Sequence, residues 1–173
     1  MTILIDGLQK RDAEDLLEFE LKNRNFFEDM VPSRGNEYYN PDVFNKNLTA
    51  LLDEQFQGLS QFYLIKDNKQ ILGRINLVDF DEYRKGCHLG YRIGQEHTKK
   101  GIASKALAVL LESLTDTNIE VIKAKTTTNN IASQKVLEKN GFEKMEGTRD
   151  EQVEKNTYKV NFIFYKWVKG NHS

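Results

Sequence analysis

The sequence is short of several things, and each shortage excludes something. Cysteine occurs once, at Cys87, so no disulfide can close within the chain and no cysteine-rich zinc site can form. The three histidines, His88, His97 and His172, lack the spacing of a ligand set, so no metal is expected. Both prolines, Pro32 and Pro41, fall in one early stretch, and no linker, repeat or low-complexity tract divides the chain. Net charge is also lacking: a formal −1 argues against direct nucleic-acid binding, which usually leans on a basic surplus. No apolar run approaches the roughly 20 residues that span a bilayer. The start, Met1 to Asp6, lacks the basic lead and apolar length of a secretory signal. A cytoplasmic protein with no membrane partner is therefore expected, and the single cysteine agrees with a reducing compartment.

What is present suits one domain. The chain has 173 residues, 39% hydrophobic and 29% charged, enough to bury a proper core. Residues 1–170 read as that domain and 171–173 as a polar tail. Ile3 to Ile5 form a short strand with a turn at Asp6-Gly7. Asp12 is placed to cap a helix in which Ala13, Leu16, Leu17, Glu20 and Leu21 follow helical period, ending near Arg24-Asn25. An aromatic, proline-bounded segment follows from Phe26 to Pro41, read as a loop with short helical pieces. Asp42 then caps a second helix reaching Phe56. Gln61–Lys66, Ile71–Phe80 and Cys87–Ile93 read as three strands joined by short turns, an antiparallel meander. A helix runs from about Gly101 to Leu114, and a β-branched strand from Glu120 to Thr126. A short helix capped by Asn129 or Asn130 stops at Gly141. Two last strands, 142 to about 153 and 157 to about 167, turn at Glu154-Lys155-Asn156. The order β-α-α-β-β-β-α-β-α-β-β gives an α/β fold with a mixed, largely antiparallel sheet flanked by helices.

One stretch carries chemistry on its face. Between the strand ending Gly90-Tyr91-Arg92-Ile93-Gly94 and the helix after Gly101 lies His97-Thr98-Lys99-Lys100-Gly101-Ile102-Ala103. A strand end, a basic turn and a helix start gather unpaired backbone N–H groups at one point, which favours a bound phosphate. No P-loop pattern is present to claim that phosphate for a nucleoside triphosphate.

A second stretch, Asn130-Ile131-Ala132-Ser133-Gln134-Lys135-Val136-Leu137-Glu138-Lys139-Asn140-Gly141-Phe142, lies one helix and one strand further on. Together the two resemble the GNAT acetyltransferase superfamily, which uses acetyl-CoA to acetylate amines. Thr98 to Ala103 match its Gln/Arg-x-x-Gly-x-Gly/Ala turn, with Thr98 in place of Gln or Arg and Lys99 where close relatives often have Gly. The second stretch matches the family's Asn-x-x-Ser…Val-Leu-Glu-Lys-x-Gly-Phe segment. Gly90 to Gly94 and the Val-Leu-Glu-Lys-x-Gly-Phe form are most similar to the RimJ/RimL type, which acetylates ribosomal-protein N-termini at alanine or serine, and the aromatic segment resembles its alanine-acetylating branch.

The resemblance implies a GNAT fold and acetyl-CoA as cosubstrate, without a metal. The backbone of Tyr91, Arg92 and Ile93 would hold the pantetheine arm, and that of Lys99, Lys100, Gly101, Ile102, Ala103 and Ser104 the pyrophosphate. Asn130 and Ser133 would meet the arm as well. The family's usual tyrosine acid is replaced by Leu137, leaving Ser133 or a water to protonate the departing thiolate. The amine's proton would pass to water, with His88, Glu82 and Glu96 as base candidates on or beside the strand. Cys87 and His88 alternate to opposite faces of the strand, so direct attack in a ternary complex is expected in place of a cysteine-linked intermediate. Phe26, Phe27, Tyr38 and Tyr39 would line the acceptor site, for a protein N-terminus, a small amine or a polyamine. A catalytically silent acyl-CoA sensor is the alternative that Thr98 and Leu137 keep open. Pairing of the last strand with a second subunit, as a homodimer, is left open too.

Overall fold

A computed structural model describes residues 1–145 and 161–170 throughout, and the backbone of 153–155 and 158–160. Its centre is a seven-stranded sheet in the order β1-β2-β3-β4-β5-β9-β6. The strands are β1 (Ile3–Gly7), β2 (Gln61–Asp67), β3 (Gln70–Val78), β4 (Gly86–Ile93), β5 (Val121–Thr127), β6 (Glu143–Lys144) and β9 (Phe162–Val168). Every neighbouring pair is antiparallel except β4 and β5. A separate ladder joins β7 (Val153–Lys155) to β8 (Tyr158–Val160). The helices are α1 (Ala13–Lys22), α2 (Arg24–Glu28), α3 (Pro41–Phe56), α4 (Ile102–Ser113) and α5 (Ile131–Lys139). Among the described residues no helix is long and apolar enough to cross a membrane.

The strand alternation of side chains sorts the core into two halves. On one face, Leu72, Ile75, Leu77, Cys87, Ile122, Ala124, Tyr165 and Trp167 pack with Ala106, Leu107 and Leu110 of α4 and Leu137 of α5. On the other, Phe62 and Leu64 meet Leu16 and Phe19 of α1, Phe27 of α2, and Phe44 and Leu48 of α3. Gly73 lets β3 and β4 approach: a Cβ there would stand 2.4 Å from the Arg92 carbonyl oxygen.

Several local expectations are corrected. Asp6 and Gly7 extend β1, paired with Leu64 and Tyr63, where the sequence suggested a turn. Asp12 stands before α1 but spends its carboxylate on the Gln9 amide (2.8 Å) and Lys66 (3.3 Å), not on the helix's own amides. The cap of α3 is Asn40, whose Oδ1 accepts from the amides of Asp42 (2.9 Å) and Val43 (3.4 Å), with Pro41 as the first helical residue. Proline at that position explains the shift, because its missing N–H is no loss there. The cap of α5 is Asn130, accepting from the Ser133 amide at 3.0 Å. Glu154 and Lys155 belong to the β7 ladder and not to a turn, and the long final strand is two pieces separated at Asn161. The stretch 146–152, the expected turn residue Asn156 with position 157, and the tail 171–173 lie outside the described residues.

Candidate active site

The parallel pair β4–β5 is the irregular place in the sheet. Gly86, Cys87 and His88 pair with Val121, Ile122 and Lys123, and there the ladder stops. β4 continues to Ile93 against β3, and β5 continues to Thr127 against β9. From Leu89 and Ala124 onward the two strands therefore part, leaving backbone donors and acceptors facing a seam. Buried backbone groups of this kind need partners, and an extended ligand can supply them as an added strand does.

The seam leads to the anion turn. Asn23 at the end of α1 is buried and accepts from the Gln95 amide at 2.8 Å, fixing the chain as it leaves β4. The Thr98 hydroxyl donates to the Gln95 carbonyl at 2.8 Å, tightening the short helical turn at Gln95–His97. Lys99 and Gly101 then both take left-handed conformations, with φ of 62° and 75°. A side chain in that conformation costs on the order of 1 kcal/mol, so Lys99 holds the turn under mild strain. Left-handed residues on either side of Lys100 turn successive amides into a concavity, and α4 follows at once with its first-turn N–H groups. The Lys105 amide already closes on the Gly101 carbonyl (3.1 Å), leaving the amides of Ile102, Ala103 and Ser104 to the turn. Asn140, at the end of α5, donates to Ser104 Oγ (3.2 Å) and to its carbonyl (3.3 Å), tying the second motif to the first.

Across the seam from α5, the Tyr91 hydroxyl lies 2.8 Å from Ser133 Oγ, and either can donate. Burial raises the Tyr91 pKa above the usual phenol value, with the Ser133 bond opposing, so its proton is held at neutral pH. Leu137 is 1% exposed and belongs to the core, so no acid acts from that position. Cys87 is buried, and its thiol is pushed up to about 12, chiefly by burial. A thiol so placed is a poor nucleophile near neutrality.

The base candidates divide. His88 is exposed on the face opposite Cys87, between Val78 and Lys123 at the closed end of the seam. Glu96 is drawn instead to α1, where Lys22 Nζ lies 3.0 Å from its carboxylate. That hydrogen bond, more than any other influence, holds Glu96 below the usual carboxylate range. Glu96 and His97 line a cavity of about 430 Å³ with Phe19, Lys22, Lys69 and Ile71. Among the described residues no group of three His, Cys, Asp or Glu side chains is arranged to hold a metal ion.

The aromatic segment is built as two short helical pieces, α2 and a 3₁₀ turn at Asn36–Tyr39. Arg24 pins it, pairing with Glu28 at 2.9 Å and Asn36 at 2.6 Å. Phe27 is 4% exposed and stacks on Phe19 (5.9 Å between centroids), so it is core first. Phe26 packs on Phe27, and Tyr38 stands edge-on to both Tyr39 (5.0 Å) and Phe44 (5.5 Å).

Sequence reasoning missed the charged group behind these rings. Glu20, 1% exposed, bonds Arg74 at 2.7 Å, and Arg34 and Arg92 each stand 3.8 Å from its other oxygen. Burial, and after it the charge of Arg34, lower the pKa of Arg92. The signal was Glu20 itself, a carboxylate at an apolar position of the α1 period.

The site thus consists of a parting parallel pair, an amide-rich turn after β4 and two hydroxyls in contact across the gap. The acetyltransferase (GNAT) domain family matches residues 2–143, and the chain belongs to that family of N-acetyltransferases. It is 26% identical over 168 residues to "Probable N-acetyltransferase YjcK" of Bacillus subtilis, covering 94% of this chain and 89% of that protein. It is 29% identical over 149 residues to the [ribosomal protein uS5]-alanine N-acetyltransferase of Escherichia coli, covering 82% and 75%. Solved structures sharing the fold include the ribosomal-protein-S5-alanine acetyltransferase of Vibrio fischeri, with a TM-score of 0.88 at 21% identity over 99% and 95% of the two chains. Another is RimL, the ribosomal L7/L12 α-N-protein acetyltransferase in complex with coenzyme A, with a TM-score of 0.85 at 19% identity over 97% and 94%. The structural neighbours include RimL and RimJ enzymes.

Proposed function

We propose that this chain transfers an acetyl group from acetyl-CoA to a primary amine, most specifically the N-terminal amine of a protein, with a ribosomal protein as the leading candidate. The observation that carries the reading is the seam: β4 and β5 pair over three residues and then part, and the chain leaving β4 runs within a few residues into the turn at Lys99–Gly101. Backbone groups of Tyr91, Arg92 and Ile93 bind the pantetheine arm as a strand. The amides of Lys99 to Ser104 hold the pyrophosphate, and α4 adds its dipole. Lys99, Lys100 and Lys105 contribute charge. Asn130 keeps the start of α5, and with it Ser133, against the arm.

The acceptor's neutral amine attacks the thioester carbonyl carbon. The C–N bond forms, the C–S bond breaks, and the thiolate takes a proton. Ser133 delivers that proton, and Tyr91, 2.8 Å away and still protonated, replenishes it. One of the amine's two protons leaves to water and the other stays on the amide nitrogen, and water returns a proton to Tyr91 to close the cycle. An α-amine has an unperturbed pKa of about 7.7–8.0, so a useful fraction is neutral without a strong base, whereas a lysine side chain near 10.4 would need one. This matches a site in which Glu96 is already committed to Lys22. Calorimetric titration with acetyl-CoA should give saturable binding. An intact, folded chain with no affinity for acetyl-CoA would sink the proposal.

A further inference from the structure

The face of the sheet opposite α4 and α5 holds charge that the transfer chemistry leaves unused. Three guanidiniums surround the one carboxylate of Glu20. Arg74 takes the short bond at 2.7 Å, while Arg34 and Arg92 stay at 3.8 Å with side chains 34% and 25% exposed. Arg34 lies 4.6 Å over the Tyr38 ring and Arg92 lies 4.8 Å over Phe27, so stacking fixes both cations without neutralising them. Beside them, Asn76 Oδ1 is buried with no hydrogen-bond partner among the described residues. Asn76 is paired with Gly90 in the ladder, and a Cβ built at Gly90 would meet nothing within 4 Å. Room, an unpartnered acceptor atom and surplus positive charge therefore coincide beside the parting strands. The same face stays basic across the sheet, where Lys123 and Lys166 sit directly opposite each other before Glu143 ends the row. Like charges so placed are destabilising unless something offsets them.

We propose that this is the acceptor subsite and that the acceptor carries a carboxylate near its amine. The amine enters over Gly90 and donates to Asn76 Oδ1, while Arg34 and Arg92 clamp the carboxylate between them. The carboxylate is either the free terminus of an amino acid or short peptide, or an acidic side chain close behind a protein N-terminus. The inference rests on the acetyl-transfer reading. The same surplus charge repels a polyamine.

The test is calorimetry on the CoA-saturated chain with two matched pairs. One is a C-amidated pentapeptide with Glu at its third position, set against the Gln form. The other is a dipeptide with a free terminus, set against its amide. The acidic member of at least one pair should bind about tenfold tighter, the usual scale of a charge-assisted bidentate contact. Which pair responds identifies the source of the carboxylate. Arg34→Gln should abolish the difference, and Gly90→Leu should weaken all the acceptors while leaving acetyl-CoA affinity intact. Equal binding within both pairs overturns the proposal. Release of free CoA is followed separately. Acid-dependent binding without transfer to any amine would uphold the clamp and refute the acetyl-transfer reading, whereas transfer without acid preference would do the reverse.

Discussion

Removing the charge of Glu20 should destabilise the fold far more than a carboxylate-to-amide change at the surface. Glu20→Gln keeps the volume and the hydrogen-bonding plane, so what it removes is the negative charge at the centre of Arg34, Arg74 and Arg92. Arg74 is then left 8% exposed beside a neutral partner, with two further cations nearby. Breaking a buried pair by deleting one partner costs about 3–5 kcal/mol. With an unfolding entropy of roughly 2.1 cal/mol/K per residue, a chain of 173 residues has about 0.36 kcal/mol/K, so the melting temperature should fall by about 8–14 °C. Thermal melts followed by circular dichroism measure this directly. Arg74→Met alone should be costly, and Glu20→Leu combined with Arg74→Met should cost less than the two single changes together, because the pair goes as a unit. A fall of less than about 3 °C for Glu20→Gln would refute the reasoning, since that is roughly the 1 kcal/mol scale of an exposed pair.

Other outcomes follow from single groups. Gly101→Val forces a β-branched residue to φ 75° and should weaken acetyl-CoA binding at least tenfold by calorimetry, while the fold, read by its melt, survives. Tyr91→Phe should lower kcat with little change in the acetyl-CoA KM, and Ser133→Ala should lower it further. If both were silent, the thiolate would draw its proton from elsewhere. Cys87, with its thiol pushed up to about 12, should resist thiol reagents in the native protein at pH 8. Its folded pKa lies above the unfolded value, so its contribution is fully present below about pH 8.5 and declines above it. Equilibrium unfolding between pH 8 and 11 should therefore show falling stability, and Cys87→Ala should flatten that fall. Asn40→Ala removes the α3 cap and should cost about 1 kcal/mol in denaturant titrations.

The elements that sequence made legible are those with strong local signals. The periodic leucines of α4, the β-branched run of β5, and the Asn130…Gly141 start and stop of α5 all lie within a residue or two of where pattern put them. The meander of β2, β3 and β4 was readable from its short turns. What escaped depends on partners far away in sequence. Asn40 and Asp42 are both good caps, and only the placement of Pro41 decides between them. Asp6 and Gly7 look like a turn until β2 arrives to pair with them.

The site divides in the same way. The amide turn was visible because glycine and lysine composition announces it, and its geometry is local. The Tyr91 hydroxyl finds Ser133 across 42 positions of sequence, a contact that no local pattern announces. The Glu20 cluster joins α1, β3, β4 and the aromatic segment, and no spacing rule connects those four places. Phe27 packs in the second core with the Arg92 guanidinium stacked on its ring, again a contact between distant stretches that local pattern does not announce.

The measurement that bears most directly on the central claim is transfer itself. The purified chain is incubated with acetyl-CoA and a panel of N-terminal peptides and small amines, free CoA thiol is quantified, and mass spectrometry locates the acetyl group. Equimolar CoA release with the acetyl group on an α-amine is the predicted result. Saturable acetyl-CoA binding with no acetylated product from any member of the panel would contradict it.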